Sequence, residues 1–173
     1  TLLHEAAEHG TLDRFPAAFL TRETLTTPNV SGETVLHVAA FNGHLDQVPR
    51  ALLTAENLLT KTSNHDTCLH AAAISGHLDQ IPPEVLTHQN LVLASKSGHT
   101  PIHAAAESGY LKQIPRERLT VDLLITRNDF GDTPLHGTIH DAAAAVTAAG
   151  GQGIAVHCDH GDDAQVKALF ERV

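Results

Sequence analysis

The chain has 173 residues, of which 42% are hydrophobic and 3% aromatic, a composition too apolar for a disordered protein. Its 11 Lys and Arg against 20 Asp and Glu residues leave a net charge of −9, so neither nucleic acid nor an anionic membrane surface is an expected partner. No apolar run reaches the roughly 18 residues of a membrane span, and we expect an intracellular, cytoplasmic protein. The sequence contains no methionine, which indicates a trimmed, processed or designed chain.

One motif recurs along the chain every 33 residues. Its histidine occupies five positions, His4, His37, His70, His103 and His136. Prolines and threonines recur with the same period, at Pro16, Pro49, Pro82 and Pro115 and at Thr21, Thr54, Thr87 and Thr120. Whole units therefore repeat, and four full units end near residue 132.

Each unit is predicted to contain two helical elements. In the second unit, Leu36, Ala39 and Ala40 fall at helical spacing, and Gly43 ends that helix. A second apolar run at Leu45, Val48, Leu52 and Leu53 predicts another element packed against the first. Because one such pair cannot bury its own apolar face, the units are expected to stack into an elongated solenoid.

The repeated segments resemble the ankyrin repeat, a 33-residue unit. Thr100-Pro101-Ile102-His103, with Ala105, Ala106 and Gly109, matches the family pattern, as does the segment from Thr34 to Leu45. The resemblance implies a mainly α-helical ankyrin-type solenoid of four repeats plus a truncated fifth, forming a domain over residues 1–136. It also implies hairpin-like loops near Gly32, Gly98 and Gly131, and a concave face that binds other proteins.

Two features depart from the family pattern. Pro49 would break a second helix that starts at Leu45, because it lacks an N–H and its ring crowds the carbonyl of residue 45. We therefore predict a short turn at 45–48, a restart in which Pro49 is a first-turn residue, and another short turn capped by Thr54. His65 stands where other repeats have glycine, so its loop must either accept a left-handed histidine or become irregular.

The histidines do not predict a metal site. The five in register are expected to bind neighbouring backbone groups, since stacked repeats would hold them in a row rather than around one point. His44 and His77 are expected to start the next helical element. His157-Cys158-Asp159-His160 is the most metal-like cluster, but adjacent residues of a strand point to opposite faces. No metal and no cofactor is predicted.

After His136 the repeat pattern ends, and residues 137–173 read as helix, strand and helix. The helices are predicted at 138–149 and from Asp162 or Asp163 to Phe170, and the strand at 154–158. This segment resembles an internal piece of a short-chain dehydrogenase/reductase, in which Asp159 matches an adenine-side residue. The family's glycine-rich phosphate loop is absent, and its Tyr-x-x-x-Lys is excluded because Ile114 follows the single tyrosine, Tyr110, by four positions. No enzymatic activity is expected.

Three fates of residues 137–173 stay open: capping the last repeat, pairing with another copy, or mobility. A monomer is favoured over a homodimer. The primary hypothesis is a non-enzymatic scaffold that binds a protein partner. The alternatives are a fused or engineered chimera without an evolved ligand, and an inactive dehydrogenase fragment that needs complementation.

The ankyrin resemblance implies contact residues on the concave face and loop tips. The helix positions that follow each alanine pair are Phe41, Asn42, Ile74, Ser75, Glu107 and Ser108, and the loop positions are Val30, Ser31, Glu33, Asn64, Lys96, Ser97, His99, Phe130 and Asp132. Phe41, Ile74 and Phe130 are expected to be the apolar anchors. In the alternative, Phe41 and Ile74 only pack between repeats.

Overall fold

The computed structural model describes residues 1–134, which form four successive repeats, at 1–33, 34–66, 67–99 and 100–132. Within this part of the chain the secondary structure is helical, with one isolated bridge between Pro28 and Thr34. The α-helices are α1 (Leu2–Glu8), α2 (Arg22–Leu25), α3 (Val35–Asn42), α4 (Ala55–Leu58), α5 (Cys68–Ser75), α6 (His88–Leu91), α7 (Pro101–Glu107) and α8 (Val121–Leu124). A long inner helix thus alternates with a one-turn outer helix.

The inner helices begin and end at the residues that the sequence indicates. Thr34 precedes α3, and its hydroxyl accepts a hydrogen bond from the His37 backbone N–H at 3.4 Å. Gly43 follows the helix with φ +75°, a left-handed conformation that glycine adopts without steric cost. The same arrangement of threonine, helix and left-handed glycine recurs around α5, from Thr67 to Gly76. The predicted first helix of each unit is therefore confirmed.

The outer element is broken by proline, as predicted. In the second repeat, short 3₁₀ turns at Leu45–Gln47 and Arg50–Leu52 precede α4. Pro49 is the residue before the second turn rather than a member of it, and the Thr54 side chain caps α4 by accepting from the Asn57 N–H. The repeats differ slightly here, because residues 83–85 of the third repeat form a plain turn in place of the second 3₁₀ element.

The inner helices pack in chain order, α1 against α3, α3 against α5 and α5 against α7. One apolar cluster runs through all four repeats, and the buried apolar residues of each inner helix and the leucine of each following turn belong to it. Leu36, Leu69 and Ile102 on the helices are fully buried, as are Leu45 and Leu78 on the turns. The alanine pairs Ala39–Ala40 and Ala72–Ala73 are also fully buried, which lets neighbouring helices approach closely.

Hairpin loops project from each repeat, and the His65 loop keeps the same shape as the others. His65 adopts φ +66°, next to +78° at Gly32 and +71° at Gly98. Its N–H donates to the Thr62 carbonyl at 2.9 Å, as the Gly32 N–H does to Asn29 at 3.0 Å. The left-handed histidine is therefore confirmed and the irregular loop is wrong, because the tip hydrogen bonds hold the turn in spite of the strain.

The predictions for the end of the chain lie outside the described residues. They comprise the truncated fifth repeat at His136, the boundary between 136 and 137, the helix-strand-helix order, the His157–His160 cluster and the three fates of residues 137–173.

Candidate functional site

The in-register histidines connect each inner helix to the hairpin that precedes the next inner helix. His37 accepts the Thr34 N–H at Nδ1, at 3.2 Å, and its Nε2 lies 3.2 Å from the Asp66 carbonyl oxygen. Because that oxygen only accepts, Nε2 carries the proton. His70 repeats this arrangement with Thr67 and the His99 carbonyl. The predicted structural role of these histidines is confirmed for the described repeats.

Burial keeps the imidazoles of His37, His70 and His103 uncharged. Desolvation lowers the pKa of His37 and His70 below the ordinary value, and it outweighs the opposing effects of the accepting carbonyls and of nearby carboxylates. It also lowers the pKa of His103. The row of rings is therefore a structural element of the stack rather than a set of charges.

A row of glutamines also joins the repeats, and sequence reasoning missed it. The Gln80 side chain accepts the Leu45 N–H at 2.9 Å and donates to the Gly43 carbonyl at 2.7 Å. Gln113 does the same one repeat later, to Leu78 and Gly76. The signal was present in the sequence, since Gln47, Gln80 and Gln113 share the period of the histidines.

Aromatic rings cover the glycines that end the inner helices. A Cβ built on Gly43 would lie 2.7 Å from the His77 ring, and one on Gly76 would lie 2.5 Å from the Tyr110 ring. His44 and His77 precede the next 3₁₀ turns, as predicted, but their rings also occupy the space above the preceding repeat's glycine. Glycine is needed there for this close approach as well as for the turn.

A groove of about 520 Å³ lies between the inner helices of the first three repeats and their hairpins. Phe41 and Ile74 contribute apolar side chains from α3 and α5, and they keep 50% and 49% of their surface exposed. They are therefore not buried between repeats. The remaining lining residues are His4, Glu8, Asn29, Ser31, Glu33, His37, Val38, Asn42, Thr62, Asn64, Asp66, His70 and Ala71.

A direct side-chain contact joins the hairpin of the third repeat to the inner helix of the fourth. Glu107 occupies the helix position of Phe41 and Ile74, and His99 occupies the loop position of Glu33 and Asp66. The Glu107 Oε1 lies 3.1 Å from the His99 Nε2, so helix and hairpin are joined directly. Helix and loop side chains at these two positions can therefore reach each other.

Residues 3–82 match the family model described as ankyrin repeats in three copies. This part of the chain is similar to ankyrin repeats. No curated protein matches the chain. The family match does not reach residues 138–173, so the resemblance of that segment to a short-chain dehydrogenase/reductase stays a prediction.

The structure brings some of the predicted contact residues together and separates others. Six of them line the groove, namely Ser31, Glu33, Phe41, Asn42, Asn64 and Ile74. Nine are not among its lining residues, namely Val30, Ser75, Lys96, Ser97, His99, Glu107, Ser108, Phe130 and Asp132. Val30 is fully exposed and Phe130 is 77% exposed, both at hairpin tips and neither in the groove lining. Sequence reasoning missed Val38, Ala71 and Asp66, all of which face the groove.

Reactive chemistry is sparse in the described part of the chain. Residues 1–134 contain no group of three His, Cys, Asp or Glu side chains arranged to hold a metal ion. Cys68 is fully buried, and burial raises the pKa of its thiol, so little nucleophilic thiolate forms. Among the same residues, no helix is long and apolar enough to cross a membrane.

Proposed function

We propose that this protein is a non-enzymatic scaffold whose ankyrin repeats bind another protein in the groove of the first three repeats. Ankyrin repeats generally mediate protein–protein interaction, and residues 3–82 match that family. The groove is formed by the same three repeats. The predicted residues that line it provide the contact surface, and the alternatives of a chimera or a dehydrogenase fragment gain no support from these observations.

The observation that carries this proposal is the exposure of Phe41 and Ile74. Both stand one 33-residue period apart on adjacent inner helices, and about half of each side chain faces the groove. Large apolar side chains that stay exposed on a well-packed surface are typical of contact sites, where excluding water contributes most of the binding free energy. Phe130 and Val30 are further contact residues at the hairpin tips.

Immobilised protein exposed to a lysate of the source cells tests this proposal. Proteins retained by the wild type should be lost from the double variant Phe41→Ala/Ile74→Ala. The matched control is Phe19→Ala, which truncates a 60% exposed phenylalanine on the outer segment at Ala17–Phe19 and should retain them. Retention of the same proteins by all three would place binding outside the groove.

A further inference from the structure

The groove carries carboxylates without cations. Glu8, Glu33 and Asp66 are lining residues, and no lysine or arginine is among them. Neither Glu8 nor Asp66 forms an ion pair with a Lys or Arg of residues 1–134, and the Glu33 carboxylate accepts only from the Asn29 amide, at 2.9 Å. The rings of His37 and His70 do not compensate, because they donate to backbone carbonyls and burial lowers the pKa of each.

The hairpins of the first and second repeats place these carboxylates at a fixed spacing from apolar side chains of the following inner helix. Glu33 on the hairpin and Phe41 on the helix are eight residues apart, and Asp66 and Ile74 repeat this spacing. The equivalent pair one repeat further on shows that side chains at these two positions can meet, since those of His99 and Glu107 lie 3.1 Å apart. Glu33 and Phe41, and likewise Asp66 and Ile74, form no such hydrogen bond, because one member of each pair is a hydrocarbon.

A side chain that satisfied both positions would need an apolar stem and a positively charged end. Lysine and arginine have this form, since they lay their methylene groups on apolar surface while the charged end stays with acceptors. The Phe41 ring would add a favourable cation–π contact. A neutral or acidic side chain would leave the carboxylates of Glu33 and Asp66 without a cationic partner, and burial of a carboxylate that has no opposite charge is costly.

We propose, on the basis of the function proposed above, that the groove binds an extended protein segment whose Lys or Arg side chains lie over Phe41 and Ile74 and pair with Glu33 and Asp66. Adjacent packed helices lie about 8–10 Å apart, and an extended chain rises about 3.1–3.4 Å per residue. The segment therefore advances by one repeat about every three residues. Its basic residues are expected three positions apart.

A phage-displayed library of random peptides of about 12 residues, long enough for four repeats, tests the proposal. Peptides selected on the wild-type chain are synthesised with a fluorescent label, and their dissociation constants are measured by fluorescence polarisation. We expect Lys or Arg at positions i and i+3 and dependence on Phe41 and Ile74. The variant Glu33→Gln/Asp66→Asn should weaken binding about tenfold, since it removes two desolvated charge pairs.

The matched control is Asp46→Asn/Asp79→Asn, which changes the net charge equally at exposed residues of the outer turns, outside the groove lining. It should weaken binding by less than about twofold. Equal weakening by both double variants would overturn the proposal, because general attraction to a chain of net charge −9 would then explain it. Urea denaturation of each variant establishes that it is folded.

The selection also separates this inference from the proposed function. Neutral or acidic peptides that still require Phe41 and Ile74 would overturn the predicted chemistry and leave the groove as the binding site. Selected peptides that bind the Phe41→Ala/Ile74→Ala variant as tightly as the wild type would overturn the inference as well. If lysate proteins nevertheless distinguish those variants, the groove recognises a folded surface instead of an extended segment.

Discussion

The surfaces through which the repeats stack and the surface that lines the groove belong to the same inner helices, yet they repeat differently. The stacking positions carry the same residue type in each repeat, as with His37, His70 and His103. The groove position that carries Phe41 in the second repeat carries Ile74 in the third and Glu107 in the fourth.

This difference follows from what each surface contacts. A stacking residue contacts the next copy of its own unit. The same residue type therefore fits every interface between repeats and recurs along the chain. A groove residue contacts solvent or a partner, and nothing in the stack requires it to recur. Periodic residues therefore indicate the stacking contacts, and breaks in the period at exposed positions indicate the binding surface.

Two truncations in α5 would test this division most strongly. Leu69 is fully buried between repeats, and Leu69→Ala should lower the free energy of unfolding by about 3 kcal/mol through lost transfer energy and a residual cavity. Ile74 lies on the groove side of the same helix, and Ile74→Ala should cost less than about 1 kcal/mol. Urea denaturation measures both. Similar losses would place Ile74 in the core, as the packing alternative requires.

Alanine substitution at two glycines separates the stability lost to backbone strain from the stability lost to a close contact between repeats. Gly43→Ala forces alanine into φ +75° and drives its Cβ to 2.7 Å from the His77 ring, and we expect a loss of about 2–3 kcal/mol. Gly131→Ala meets the same kind of strain at φ +84° with no neighbour within 4 Å among residues 1–134, and about 1 kcal/mol is expected. Thermal or urea denaturation measures the difference between the stability losses of the two variants. If the two variants lost equal stability, the His77 ring would not constrain Gly43.

The smallest effect concerns pH and the stacked histidines. Burial lowers the pKa of His37, His70 and His103 in the folded chain, so their contribution to stability is fully present above pH 6.5, the ordinary histidine value. As the pH falls below 6.5 towards the folded values, the unfolded chain binds more protons and that contribution is lost. The urea midpoint should therefore fall from pH 7 to pH 5, and less steeply in His70→Gln. A midpoint that does not fall in the wild type would contradict this.

Much of the fold could be predicted from single residues and their spacing. Local chemistry predicts the helices, the threonines that precede them and the glycines that follow them. It also predicts the break at Pro49, because proline lacks a backbone N–H donor in any tertiary context. The shape of the His65 loop could not be predicted in this way. A strained residue persists only when surrounding hydrogen bonds hold it, and those bonds become visible only in the structure.

The candidate site was predicted only in part. Phe41 and Ile74 could be assigned to the groove because they follow the alanine pairs of a recognisable motif. Val38, Ala71 and Asp66 could not be assigned to it, since the set of residues that face the groove depends on the orientation of each hairpin relative to the helices.

The sequence by itself determined the repeating unit, the order of its helical elements and the residues that end them, because these depend on contacts within a few positions of the chain or on a strict period. The tertiary structure alone decided which side chains meet across the groove and which carboxylates stay without a cation. Those properties depend on the distance between separate repeats, and no local interaction sets that distance.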